Sequence, residues 1–212
     1  MNKMICTFAL AFAGTTTVSL AEPITVAALG DSLTQGYGLV EDQGFVPQLQ
    51  RWLDANNADV RIINAGVSGD TTAGGLSRVT WTLTPEVDAM IIALGGNDLL
   101  RGIDPKTVRT NLNGIMQAAQ DADVAVLLVG MQAPGNYGQD YKSAFDAIYP
   151  DLANTYGTLL LNSFFEGLPS NEPAKLAQFL QADNIHPNTD GVSKIVAKFG
   201  PKVLELIAQV DD

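Results

Sequence analysis

Five short apolar runs set the frame of this chain. They fall at residues 24–29 (ITVAAL), 60–64, 87–94 (VDAMIIAL), 124–129 (VAVLLV) and 158–161, each the length of a strand and short for a helix. Between them apolar residues recur with helical spacing over 45–53, 72–83, 105–119 and 141–156, and again at Val192, Ile195, Val196 and Phe199. Near-continuous apolar strands are the mark of a parallel sheet buried on both faces. Strand and helix alternating at intervals of roughly 30 residues imply right-handed βαβ crossovers. The expected fold is therefore α/β, a three-layer αβα sandwich around a five-stranded parallel sheet. Pro201 is expected to kink or restart the last helix. Ligands of such sheets gather at the carboxyl ends of the strands, so the loops after the first three strands are where chemistry is sought.

The chain has 212 residues, enough for one such domain, and no repeat or long linker divides it. Residues 1–21 read as a leader and 22–212 as the domain. The leader carries Lys3, an apolar stretch through Ile5, Phe8, Leu10 and Phe12, and a small-residue region ending Ser19-Leu20-Ala21, the pattern of a secretory signal cleaved after Ala21. Its apolar run falls far below the ~20 residues of a spanning helix. Export to the periplasm or the exterior is expected, without stable membrane insertion. Cys6 is the lone cysteine and lies in the leader, so the processed chain would hold no thiol for a disulfide or a nucleophile.

Charge narrows the partners further. Twelve Lys and Arg against 23 Asp and Glu give −11, with no basic cluster, which argues against nucleic acid as a partner and against tight adsorption to anionic bilayers. One cysteine and one histidine cannot build a zinc site that needs several such ligands, and no calcium-loop motif is present. No metal and no cofactor are expected. The sequence does not specify an oligomer, and a monomer is the expectation.

Four loops hold candidate chemistry. After the first strand comes Gly30-Asp31-Ser32-Leu33, where Ser32 is either a nucleophile with its hydroxyl in the crevice or an ordinary turn serine capping a helix. After the second, in Ser68-Gly69-Asp70-Thr71, Gly69 either offers its N–H to a developing oxyanion or only supplies a left-handed turn. After the third, in Gly95-Gly96-Asn97-Asp98, Asn97 is a side-chain amide donor or a self-satisfied turn residue. The fourth is Asp183-Asn184-Ile185-His186-Pro187. Asp183 stands three residues before the only histidine, close enough to accept from its Nδ1 and leave Nε2 to take a serine proton. Asp31 and Asp98 are expected to brace their loops through backbone hydrogen bonds. The segment 131–138 is either one wall of an acyl pocket, through Met131 and Pro134, with Leu33 and Tyr37 opposite, or a surface turn.

These residues resemble the SGNH, or GDSL, hydrolases. Gly30-Asp31-Ser32-Leu33 is similar to that family's first block, Gly69 in Ser-Gly-Asp-Thr to the second, Gly95-Gly96-Asn97-Asp98 to the third, and Asp183-x-x-His186 to the fifth. Asn136-Tyr137-Gly138 and 147–150 resemble the thioesterase I, arylesterase and lysophospholipase L1 branch. The resemblance implies a flavodoxin-like fold with Ser32 as nucleophile, His186 as general base and acid, and Asp183 as orienting carboxylate. It also implies an oxyanion hole from the Ser32 and Gly69 N–H groups and the Asn97 side chain. The substrates implied are small acyl or aryl esters, extending to thioesters and lysophospholipids. A carbohydrate O-acetyl esterase and a non-catalytic exported binding module are the alternatives. No G-x-S-x-G motif occurs, which excludes the α/β-hydrolase layout.

Overall fold

The computed structural model describes residues 23–210. The leader, its cleavage point and Cys6 lie outside the described residues.

The central strands are almost wholly apolar because both their faces are covered. β1 (Ile24–Gly30) is buried after its first residue and β3 (Ala89–Ala93) along its whole length. β2 (Val60–Gly66) lies at an edge, and there burial alternates, with Val60 and Ile62 inside and Arg61 exposed. β4 (Ala125–Val129) and β5 (Leu159–Leu161) complete the sheet, in the order β2-β1-β3-β4-β5 with every pairing parallel.

Parallel strands require crossovers, and the helices supply them. α1 (Ser32–Gln35) and α2 (Phe45–Ala55) join β1 to β2, and α3 (Thr72–Thr82) joins β2 to β3. α4 (Gly96–Leu100) and α5 (Pro105–Asp121) lead to β4, and α6 (Gln139–Asp146) and α7 (Ile148–Tyr156) lead to β5. The short α8 (Pro173–Leu176) precedes the last helix, α9 (Thr189–Ala208). α2 packs on α9 against the sheet, and α3 packs on α5, which also meets α6 and α7. Each long helix turns one stripe inward: Phe45, Val46, Leu49 and Leu53 in α2, and Val108, Leu112, Ile115 and Ala119 in α5. Replacing a residue such as Leu49, fully buried, by alanine should cost about 2–5 kcal/mol.

Two helices differ from the sequence reading. The stretch 141–156, expected as one helix, starts at Gln139 and is broken at Ala147. Pro150 lies in the first turn of α7, where its missing N–H cannot answer the Asp146 carbonyl four residues before it. Of the kink or restart expected at Pro201, the last helix does not make the restart and runs through the proline. Gly200, just before that proline, lies against the Trp52 ring of α2, which occupies the space of any side chain there.

Register places the site. Gly30 pairs with Gly66 on one side and Ala93 on the other, so three strands end level. A side chain at Gly66 would run into the Gln35 backbone; its absence lets α1 sit directly on the strand ends.

Candidate active site

The turn after β1 is capped by a residue other than its serine. Asp31 is the N-cap of α1, its Oδ1 accepting the Leu33 N–H at 3.0 Å. That leaves the Ser32 hydroxyl free of capping duty. It donates instead to His186 Nε2, at 2.9 Å across 154 residues of sequence. His186 Nδ1 lies 2.6 Å from Asp183 Oδ2. An ionised carboxylate only accepts, so Nδ1 carries the proton and Nε2 presents its lone pair to the serine. The bond from the imidazole holds Asp183 down at about 2, with the His186 and Ile185 N–H groups adding to it, so this carboxylate stays ionised across the working range.

Three residues with donors to offer, Ser32, Gly69 and Asn97, line one cleft. The Ser32 N–H is the first of α1, and first-turn amides have no intrahelical acceptor. Gly69 lies at φ +81, the left-handed region, while a side chain there would meet nothing nearer than Arg101 Nη2 at 3.8 Å. Backbone conformation rather than protein crowding explains the glycine. Arg101 donates to the Gly69 carbonyl at 2.8 Å and steadies that turn. Among the described residues, no hydrogen bond takes up the Gly69 N–H. Asn97 Nδ2 donates one hydrogen to Asp31 Oδ2 at 3.2 Å, which leaves the other for the cleft.

Behind these groups lie braces. Asp31 is 1% exposed; burial pushes its carboxyl up to about 6, against the pull of the Leu33 and Asn97 donors. Asp98, fully buried, accepts from the Thr72 N–H and hydroxyl and ties the third loop to the start of α3. Arg78 of α3 donates to the Gly30 carbonyl, the Ala65 carbonyl and Asp70, at 2.9, 2.8 and 2.7 Å. One guanidinium thus clamps the ends of β1 and β2 together with the loop that carries Gly69. The buried Tyr149 hydroxyl, with its pKa pushed well up by burial, donates to the Leu94 carbonyl at the end of β3.

The serine opens onto a cleft of about 800 Å³, within the range of small-molecule sites. Leu33, Tyr37, Met131 and Pro134 line it together with Ser32, Gly69, Asn97 and His186. Asp183 stands behind the imidazole. The segment 131–138 divides between its two readings: Met131 is buried, and the exposed turn from Pro134 to Tyr137 forms the rim. The sequence reading missed the opposite wall, where Phe165, Leu176, Leu180 and Ile185 come from a segment with no helical or strand period. It also missed Arg78, Arg101 and Tyr149, whose roles depend on distant carbonyls.

A parallel α/β sandwich with a serine–imidazole–carboxylate chain at the strand ends is the general layout of a serine hydrolase. The chain belongs to the GDSL-like Lipase/Acylhydrolase family, whose model matches residues 28–193. It is 38% identical to Esterase TesA of Pseudomonas aeruginosa, over 86% of this chain and 89% of that protein. It is 35% identical to Thioesterase 1/protease 1/lysophospholipase L1 of Escherichia coli K12, over 88% and 86%. The crystal structure of AlinE4, an SGNH-hydrolase family esterase, superposes with a TM-score of 0.72 at 40% identity, covering 88% of this chain and 98% of that one.

Proposed function

We propose that this SGNH serine esterase hydrolyses small acyl and aryl esters through an acyl-enzyme on Ser32. The observation that carries the assignment is the unbroken chain from the Ser32 hydroxyl to His186 and on to Asp183, at 2.9 and 2.6 Å. As the serine oxygen attacks the carbonyl carbon, His186 Nε2 takes its proton, and Asp183 stabilises the imidazolium that forms. The carbonyl oxygen becomes an oxyanion held by the Ser32 and Gly69 N–H groups and the Asn97 amide. His186 returns the proton to the leaving alcohol or thiol as the carbon–oxygen or carbon–sulfur bond breaks. Water, deprotonated by the same imidazole, then releases the acid and restores the serine.

The cleft supports acyl groups longer than acetyl. Of the seven large exposed apolar residues among those described, four, Tyr37, Leu100, Tyr137 and Ile185, line it. Such a concentration marks a binding surface. Carboxylic and aryl esters come first as substrates, with thioesters and lysophospholipids in reach of the same chemistry. Residues 1–21 serve as an export signal, a reading supported by their charge and apolar pattern, and the enzyme then works in the periplasm or outside the cell. No described helix is long and apolar enough to cross a membrane.

A series of p-nitrophenyl esters and acyl thioesters of rising chain length, with Ser32→Ala as the blank, tests the reading. Activity should persist or rise beyond acetyl and vanish in the blank. A sharp fall beyond acetyl would favour the carbohydrate O-acetyl esterase, and inertness toward every ester would favour the binding module.

A further inference from the structure

The imidazole stands on a segment that the sheet does not hold. His186 and Asp183 belong to a hairpin-like lobe, residues 180–187, in which Leu180 and Pro187 form an antiparallel bridge. Within it the Gln181 N–H donates to the His186 carbonyl at 2.8 Å and the Asn184 N–H to the Gln181 carbonyl at 3.0 Å. Asp183, Asn184 and Ile185 are exposed. The serine, by contrast, sits on a turn seated on three strand ends. A general base displaced by about 1 Å can lose on the order of a hundredfold in rate, so a lobe of this kind needs a tie at the level of the ring.

One side chain spans the gap without joining the reacting chain. Gln181 Nε2 donates to the Tyr37 carbonyl at 2.8 Å and to the Pro187 carbonyl at 3.0 Å, so one hydrogen of the amide goes to the serine's segment and the other to the residue after the histidine. The Tyr37 N–H in turn donates to the Ser32 carbonyl at 3.1 Å. The tie therefore runs from Pro187 through the carboxamide and Tyr37 to the nucleophile itself. Gln181 Oε1 fills the space that a side chain at Gly38 would need, at a residue already in the left-handed region at φ +77. With the two segments so joined, the Tyr37 ring lies against the imidazole, centroids 4.6 Å apart.

We propose that Gln181 is a positioning residue for the hydrolysis. Its carboxamide pins the lobe that bears His186 to the turn that bears Ser32 and holds Nε2 within bonding reach of the serine oxygen through the proton transfers. The proposal rests on the assignment of Ser32 and His186 made above. Gln181 is not among the residues lining the cleft, so it acts through the imidazole and not on substrate.

The test uses Gln181→Met, which keeps the bulk and loses both donors, and Gln181→Glu, which keeps the shape and can only accept. Active sites are titrated with a fluorophosphonate, and kcat per titrated site, KM for p-nitrophenyl butyrate and the rate constant of phosphonylation are measured. Both variants should lose about tenfold or more in kcat per site and in phosphonylation, with KM within about twofold of wild type. A residue that merely stabilised the lobe would lower the titratable fraction and leave each intact site at full speed. Values of kcat per site within twofold of wild type in both variants would overturn the proposal, as would a raised KM with kcat unchanged. A wild type that resists phosphonylation, or an active Ser32→Ala, would instead overturn the catalytic assignment, so the two failures are told apart.

Discussion

The two halves of the active site are built on different principles. The half carrying Ser32, Gly69 and Asn97 stands on strand ends that finish level, clamped by Arg78, Asp98 and Tyr149, with Asp31 buried beneath it. The half carrying Asp183 and His186 is a surface lobe whose Asp183 side chain is 36% exposed. The first takes its geometry from sheet register, where any shift would have to move packed strands. The second takes its geometry from hydrogen bonds of the lobe and to the turn opposite. On the proposed mechanism, such a site sets its oxyanion donors on packed strand ends and its proton carrier on an exposed lobe.

Substitutions can break that contrast one half at a time. The largest effect is expected on the lobe: His186→Ala removes the only imidazole of the chain, and kcat for a p-nitrophenyl ester should fall by about 10⁴-fold or more, with the fold unchanged by circular dichroism. Next comes Asp183→Asn. Its amide would face Nδ1 with a donor and favour the wrong tautomer, so a loss of about 10²–10⁴-fold in kcat is expected with KM nearly constant. Because Asp183 is held at about 2, its protonation should not shape the acid limb of the wild-type profile above about pH 4. On the sheet side, Asn97→Ala should lose about 10²–10³-fold in kcat, and a turnover equal to wild type would remove the amide from the oxyanion hole.

The smallest effect sharpens the comparison most. Asp31 has its carboxyl raised to about 6 from an ordinary 3.8, so the folded state holds this proton more tightly than the unfolded chain. Its contribution to stability is therefore fully present below about pH 4 and is lost as pH rises through 6, by something on the order of 3 kcal/mol. Asn at position 31 still caps α1 and cannot ionise. The melting temperature of Asp31→Asn should gain on that of wild type between pH 4 and 7. A difference that stays constant over this range would show that burial does not burden the carboxylate.

Both halves were legible in sequence, by different signals. Strand–helix alternation, with ligands expected at the carboxyl ends of the strands, directed attention to the loops holding Ser32, Gly69 and Asn97, and the single histidine with a carboxylate three residues upstream singled out His186 and Asp183. Local spacing carries that information. It does not carry contacts that close over long distances, such as Arg78 to the Gly30 and Ala65 carbonyls, Asn97 to Asp31, or Gln181 to Tyr37 across 144 residues. The cleft wall at Phe165, Leu176 and Leu180 was invisible for another reason: aperiodic segments acquire a face only when tertiary packing gives them one. Ala147 marks where apolar periodicity overestimated helix continuity, and Pro201 where the proline rule allowed a restart that the helix does not make.

The central claim is that Ser32 attacks the substrate with His186 as its base. Intact-mass analysis and peptide mapping after treatment with a fluorophosphonate test it most directly. One adduct per chain is expected, on the peptide containing Ser32, strongly slowed in His186→Ala and absent in Ser32→Ala. An adduct on a different residue, or hydrolysis that survives full modification of Ser32, would contradict the account.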